Sequence, residues 1–354
     1  MVLGTRPEII KLAGVIEGLG DAAVVIHTGQ HYDDDLSQVF LDGLGLPRPA
    51  HQLHLGGLSR AAQIGRGTEH VADLLTRIEP AAVVVQGDTN SALAGALAAN
   101  STGFPIVHVE AGLRSYDRAM PEEHNRVLVD HLSDLLAAPT TTAVANLARE
   151  GINGDQVICC GNTVVEAVRR QLPNPGRRAQ LLAEYGLEPA GYVLATLHRP
   201  ENTDDPAVLG RILAELGSLP LPVVLPLHPR TAAAARAAGM EGLLEPLRVV
   251  DPMDGVTFLG LAAEAAVLVS DSGGVQEEVT ILGRPLVVVR RSTERPEAFE
   301  HHAVLVGPER VAAATKAYLP GIAGLHARLA ALPSPYGDGS ASSAIVAALR
   351  VMFL

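Results

Sequence analysis

Five short apolar runs in this chain each end in a group able to do chemistry. VVVQGDTNS ends in Asp88, IVHVEAGLR in Glu110, VLATLHRPEN in His198, VVLPLHPR in His228, and VLVSDSGGVQEE in Ser272 and Gly273. A carboxylate held in a fixed place can take a proton from a reacting carbon and return it. An imidazole gives or takes one near neutral pH. Glycines let backbone N–H groups approach a phosphate, and the helix that follows offers its N-terminus. Any one of these residues could be a helix cap or a strand-end hydrogen bonder. Acid, base and cation gathered at corresponding ends in both halves of the chain predict an interdomain cleft that handles an anionic substrate.

A second turn of the same kind opens the sequence. Gly4, Thr5 and Arg6 precede a helix expected over residues 7–16, with Pro7 suited to its first turn. A diphosphate would neutralise such turns. The usual dinucleotide and ATP fingerprints are missing: GRGTEH lacks the third glycine of G-x-G-x-x-G, and no Walker motif occurs. There is no H-E-x-x-H and no zinc-like Cys/His set, so neither a metal nor a redox cofactor is expected. HYDDD, residues 31–35, reads as a solvated helix start with acids in its first turn.

Such residues need rigid elements behind them. Buried strands are expected over residues 24–27, 82–86, 106–110 and 135–138, and in a second series over 192–197, 223–227, 267–270 and 286–290. Each is short, mostly apolar and rich in β-branched residues, as strands covered on both faces are. Helical stretches such as 91–100 and 118–133 alternate with them. This is the βαβ pattern of parallel, doubly wound sheets, in which ligands bind beyond the carboxyl ends of the strands. QLPNPGRR, residues 171–178, separates the two series, and a Pro/Gly cluster at 332–340 precedes a final helix at 342–353. The expected division is 1–168, joined by a C-terminal helix over 340–354, and 175–335.

The bulk properties agree. A chain of 354 residues corresponds to two domains of roughly 150 to 200 residues each. Apolar content of 47% and a mean hydropathy of +0.22 provide a large core. A formal charge of −12 without a Lys/Arg-rich run argues against a nucleic-acid binder. No charge-free apolar run approaches membrane-spanning length, and Arg6, Glu8 and Lys11 interrupt the N-terminus too early for a signal peptide. Only Met1, Val2 and Leu3 precede Gly4, which is short for a first strand and leaves open whether the native N-terminus is longer. The adjacent Cys159 and Cys160 are expected as buried thiols in a strand, in keeping with a reducing cytoplasm.

With these residues in hand, the chain resembles the non-hydrolysing UDP-N-acetylglucosamine 2-epimerases over nearly its whole length. The resemblance rests on GTRPEIIK (4–11), TGQH (28–31), GDT (87–89), HVEAGLR (108–114), MPEEHNR (120–126), GNTVVEA (161–167), LHRPEN (197–202), DSGGVQEE (271–278), TERPEA (293–298) and PYGDG (335–339). It implies two Rossmann-like domains arranged as in the GT-B glycosyltransferases and a homodimer. It further implies interconversion of UDP-GlcNAc and UDP-ManNAc without NAD or an essential metal. Carried over residue by residue, the family's catalytic carboxylates fall on Asp88, Glu110 and Glu122, and its catalytic histidine on His198. The nucleotide side falls on Arg6, Phe258, Ser272, Gly273 and Glu278, the aromatic stacking on uracil and the glutamate meeting ribose hydroxyls. Lys11, Gln30, Arg126, His228 and Arg295 match substrate-lining positions. One departure concerns regulation. The allosteric bacterial branch carries a glutamine three residues after that of TGQH, where this chain has Asp33. Activation by a second substrate molecule is therefore not implied.

The chemistry that the resemblance implies explains several carboxylates in one site. Loosening the C1–O bond makes the C2 proton removable, UDP leaves as an anion, and return of the proton to the other face needs a second acid/base group. Like charges close together would split their protonation. The alternatives are a hydrolysing 2-epimerase, a 2-epimerase of a related UDP-diacetamido sugar, and a GT-B glycosyltransferase with an acceptor pocket. A catalytically inactive UDP-sugar sensor is a fourth.

Overall fold

A computed structural model describes residues 1–30, 45–46 and 48–354. The acidic stretch 31–35 and with it Asp33 lie outside the described residues. The chain forms two compact units, Met1–Ala167 with Tyr336–Leu354, and Val168–Pro335.

Among the described residues the first unit holds seven short parallel strands: β1 (Val2–Leu3), β2 (Ile26–His27), β3 (His51–Gln52), β4 (Val83–Gln86), β5 (Ile106–Val109), β6 (Leu135–Ala138) and β7 (Val157–Cys159). They hydrogen-bond in the orders β1-β2-β3 and β4-β5-β6-β7, and β1 lies beside β4. Side chains alternate across the strands, so each strand feeds two cores. Val84 and Val107 pack with Leu3, Ile9, Leu12, Ile345 and Leu349. Val83, Val85 and Ile106 pack on the other side with Val71, Leu75 and Ala96. The C-terminal helix Ala341–Met352 belongs to the first of these layers. Ser342 N–H donates to Glu166 at 2.9 Å, and Arg350 donates to the carbonyl of Gly18 at 2.9 Å.

The second unit is one six-stranded parallel sheet of β8 (Val193–Thr196), β9 (Val223–Pro226), β10 (Arg248–Val250), β11 (Val267–Ser270), β12 (Leu286–Val289) and β13 (Ala303–Val306). Its order, β10-β9-β8-β11-β12-β13, is the doubly wound order in which the chain reverses direction between the two central strands. β8 and β11 are those strands, and Thr196 pairs with Ser270. One core cluster fills this unit, from Val193, Ile212 and Leu216 to Val269, Val287 and Val311. The fold is therefore α/β with parallel sheets in two Rossmann-like units.

Every strand expected from the sequence is present, to within two residues at either end. The strands that gave no sequence signal include β3, β7, β10 and β13, all at sheet edges. Their residues are partly exposed, so they form no continuous apolar run. The cysteine expectation needs correction: Cys159 closes β7 on an exposed edge. Cys160 is half-buried, and burial followed by its neighbour Cys159 pushes its thiol up to about 12.

Candidate active site

In the first unit the loops after β1, β4 and β5 carry the expected groups. Glu110 follows β5 with φ of 71°, a left-handed conformation that costs a non-glycine residue energy and that clusters at functional sites. Two residues on, Gly112 (φ 83°) accepts the same hand without strain, and a Cβ there would lie 2.5 Å from the carbonyl of Ala143. The Glu110 carboxylate is 7% exposed. It pairs with Lys11 Nζ and accepts from Asn162 Nδ2 at 3.1 Å. Asp88, beyond β4, pairs with Arg126 Nη2, and the other guanidinium nitrogen of Arg126 meets Glu123. Asn125 Nδ2 donates to the Asp88 carbonyl at 2.8 Å.

This arrangement changes several sequence expectations. Asp88 and Glu110 each have a cation of their own. Arg126 is only 2% exposed, and its guanidinium holds Asp88 and Glu123 rather than standing open to a ligand. In the MPEEHNR motif the two glutamates separate. Glu122 is half-exposed at the start of the helix Pro121–Leu132. Glu123 is buried and accepts from Ser115 N–H at 2.9 Å and Tyr116 N–H at 2.8 Å. Gln30 uses its side-chain oxygen to accept from Ser91 N–H at 2.9 Å. Thr89, not Asp88, caps the following helix, accepting from Ala92 N–H at 2.9 Å.

The rest of HVEAGLR is a frame for Glu110. His108 Nδ1 lies 2.6 Å from Asp130 and its Nε2 lies 2.8 Å from the Gly87 carbonyl. Arg114 reaches Asp130 at 2.7 Å and Glu150 with two nitrogens at 2.7 Å each. Burial alone would push Asp130 up, but His108 and Arg114 outweigh it and hold its carboxyl below the usual range. The opening turn is stitched in the same way. Glu8 accepts from Gly4 N–H at 3.0 Å, Thr5 Oγ1 at 2.8 Å and Thr89 Oγ1 at 2.8 Å. The Gly4 donor that the sequence offered to a phosphate is thus taken. Arg6 stands half-buried in the first turn of its helix, Arg6–Leu19.

In the second unit the residues after β8 and β11 lie side by side, because those strands are paired. His198 Nδ1 is 3.0 Å from Asp271 Oδ1. Asp271 is fully buried and also accepts the backbone N–H of His198 at 3.0 Å and of Arg199 at 2.9 Å. The His228 ring stands 5.7 Å from that of His198. Burial first, and then His198, pull His228 below the usual histidine range. Ser272 N–H is occupied by Ser270 Oγ at 3.0 Å. The open donors of this turn are therefore those of the first helical turn from Gly273, which have no partner within the helix. A Cβ at Gly273 would lie 2.6 Å from Arg295 Nη1, so glycine lets the guanidinium close over the helix start. Arg295 itself is buried and engaged by Glu277 at 3.0 Å and by Glu294. Glu278 lies over Gly274, and Phe258 is half-buried on the helix Gly255–Ala262.

Residues 20–350 match the family model described as UDP-N-acetylglucosamine 2-epimerase. The chain belongs to that family. It is 38% identical to the UDP-N-acetylglucosamine 2-epimerase of Methanococcus maripaludis, covering 98% of this chain and 96% of the relative. It is 38% identical to the UDP-2,3-diacetamido-2,3-dideoxy-D-glucuronate 2-epimerase of Pseudomonas aeruginosa, covering 87% and 88%. The crystal structure of the Methanocaldococcus jannaschii UDP-GlcNAc 2-epimerase in complex with UDP-GlcNAc and UDP superposes with a TM-score of 0.84 at 36% identity, covering 99% and 98%. The protein is thus an enzyme of the epimerase class, with the GT-B-like fold expected from its sequence.

Within this epimerase the strand-end groups are sorted by unit. Asp88, Glu110, Lys11 and Arg126 gather on the first; His198, His228, Gly273 and Arg295 gather on the second. Among the described residues no trio of His, Cys, Asp or Glu stands at metal-ligand spacing, and no helix is long and apolar enough to cross a membrane. Sequence reasoning missed Glu123, Asn162 and the role of Asp271 as the partner of His198. Asn162 and Asp271 lie inside motifs already singled out, GNTVVEA and DSGGVQEE. Their contacts with Glu110 and His198 span |i−j| of 52 and 73 residues, a separation that no local pattern encodes.

Proposed function

We propose that the protein interconverts UDP-GlcNAc and UDP-ManNAc by elimination and re-addition of UDP. The observation that carries this is Glu110, a carboxylate at a strained strand end, held between Lys11 and Asn162. Such rigid placement suits proton removal from carbon. The C1–O bond breaks and UDP departs with its electron pair. The C2 proton passes to a carboxylate, and the C2–H electrons form the C1=C2 bond of 2-acetamidoglucal. Proton delivery to the opposite face and return of UDP to C1 complete the inversion. The first unit supplies the acid–base groups, Glu110, Asp88 and Glu122. The second supplies the donors for the departing diphosphate, the helix start at Gly273 and His198. Preorganised donors of this kind are often the largest contribution to a rate. Arg6, Lys11, Gln30, Arg126, His228, Phe258, Ser272, Glu278 and Arg295 complete the ligand-binding set, with Arg126 and Arg295 acting through the carboxylates they hold.

The test is incubation with UDP-GlcNAc alone in D2O, without NAD or metal, followed by NMR. The expected product is UDP-ManNAc deuterated at C2. Product that keeps its C2 hydrogen rules out the elimination. Free ManNAc with UDP indicates a hydrolysing enzyme, and no conversion without an acceptor indicates a glycosyltransferase. A second substrate reading, a diacetamido-uronate UDP-sugar, is favoured by the equal identity to the Pseudomonas relative. It predicts faster turnover of that sugar in the same assay. The finer reading of a cytoplasmic homodimer rests on the family resemblance. Sedimentation at the mass of one 36.9 kDa chain would remove the dimer.

A further inference from the structure

The scheme above leaves Asp271 without a part, yet the C-terminal unit is built tightly around it. It follows β11 directly, and β11 pairs with β8 through Ser270 and Thr196. That register brings Asp271 beside His198, two residues beyond the end of the neighbouring strand. The carboxylate is fully enclosed. It accepts from two backbone N–H groups, those of His198 and Arg199, and from Asn202 Nδ2 at 3.1 Å. Asn202 is bolted in turn to the Val289 carbonyl at 2.8 Å. Arg199 Nε ties down the Asp271 carbonyl at 2.9 Å. These contacts hold the loop backbone; the approach of His198 Nδ1 to 3.0 Å fixes the ring.

We propose that Asp271 is the positioning residue for His198. A carboxylate surrounded by donors accepts only, so Nδ1 must carry a proton in the neutral ring as well as in the charged one. Nε2, in a side chain that is 40% exposed, is then the nitrogen that gives or accepts a proton at the nucleotide sugar. The neighbouring ring is set the other way. His228 Nδ1 accepts from Arg230 N–H at 3.2 Å, so its neutral form carries hydrogen on Nε2. The pair therefore presents one proton-exchanging nitrogen and one fixed donor. Burial pushes Asp271 up, but His198, the backbone donors and Asn202 outweigh it and hold the carboxyl below the usual range. Asp271 accordingly stays an acceptor throughout the working pH range. This inference rests on the reading of His198 as a group that touches substrate.

Asp271→Asn tests it. The amide keeps the shape but must turn its NH2 toward one of the donors. Toward Nδ1 it forces the proton onto Nε2, and in a serine protease the corresponding exchange costs about 10⁴-fold in kcat by the wrong tautomer. The expected result is a fall in kcat of roughly 10²- to 10⁴-fold, with the Kd for UDP unchanged within about two-fold. The loss should not add to that of His198→Gln. A direct readout is 15N NMR of imidazole-labelled wild-type protein, with the His198 resonances identified by their loss in His198→Gln. The neutral ring should be protonated at Nδ1, and in Asp271→Asn at Nε2. A wild-type ring protonated at Nε2 overturns the proposal, as does an Asp271→Asn variant that keeps kcat while His198→Gln loses it. Should Asp271→Asn not fold, the wild-type spectrum decides alone. Should the wild type show no epimerisation, the functional reading fails, and the tautomer is still determined independently.

Discussion

The two units place reactive side chains at the same kind of address, the carboxyl ends of parallel strands, but they hold them with opposite charges. On the first unit the acids are primary and cations steady them: Lys11 on Glu110, Arg126 on Asp88. On the second a base is primary and an acid steadies it, Asp271 on His198. In the proposed reaction the difference follows the work. A carboxylate that is to receive a proton must be ionised beforehand, and a buried carboxylate stays so only beside a cation or several donors. A histidine facing a departing anion is best backed by a carboxylate, which fixes its tautomer. In the proposed mechanism the first unit serves proton transfer and the second receives negative charge.

The largest effect should come from the group proposed to transfer the proton. Glu110→Gln keeps the shape and the Asn162 contact but removes the accepting charge. Turnover should fall by about 10²- to 10⁴-fold, with the affinity for UDP unchanged within about two-fold, since all the proposed nucleotide-side residues but Arg6 lie on the other unit. Initial rates and calorimetric titration measure the two separately. Near-normal turnover would make Glu110 an orienting group and end the contrast between the units.

Much of this was legible in the sequence, and the part that was not has a common cause. Asp88, Glu110, His198 and Gly273 announce themselves because a polar or glycine residue closes an apolar run, and that break is local. Central strands were legible for the same reason. Edge strands β10 and β13 were not, because one side of each meets solvent and the pattern is mixed. Nor could the sequence assign partners. Glu122 and Glu123 are adjacent and chemically alike, and only the helix phase decides which one meets Arg126 and which stands half-exposed. Arg126 and Arg295 read as open cations for an anionic ligand, since the carboxylates that engage them are identified by packing. Asp271 is close to His198 through strand register alone.

A third carboxyl on the first unit sharpens the comparison, because among the described residues it has no ion-pair partner. Glu8 is buried beneath the Gly4 turn, and burial, against four hydrogen-bond contributions from Gly4, Thr5 and Thr89, raises it from 4.5 to about 7. The folded state therefore holds this proton more tightly than the unfolded chain. Stability from Glu8 is complete below pH 4.5 and is lost as pH rises to about 7. The loss is at most about 3 kcal/mol. Glu8→Gln keeps an acceptor for Gly4 N–H and a donor for Thr89 and removes the titration. Its stability relative to wild type should climb across that window and level off above it, as read by denaturant unfolding at several pH values. A flat difference would mean that Glu8 is ionised throughout, held so by its donors.

The smallest effect should come from Gly273→Ala, which probes the second unit as Glu110→Gln probes the first. The added Cβ would sit 2.6 Å from Arg295 Nη1 and 3.1 Å from Glu294 Oε1. The guanidinium end can swing aside, whereas the backbone need not move, so the fold should lose under about 1 kcal/mol. Arg295 would then no longer close over the helix start, and the first-turn donors would meet a methyl group where a phosphate oxygen should approach. Affinity for UDP should weaken about tenfold, equivalent to about 1.4 kcal/mol, while kcat at saturation falls by less than about threefold. This is the reverse of the Glu110→Gln split, and calorimetry with initial rates gives both quantities. Unchanged UDP affinity would remove the Gly273 helix start from the diphosphate site. A loss confined to kcat would mean that Arg295, with Glu294 and Glu277 behind it, serves the proton-transfer step, and the division of labour between the two units would have to be redrawn.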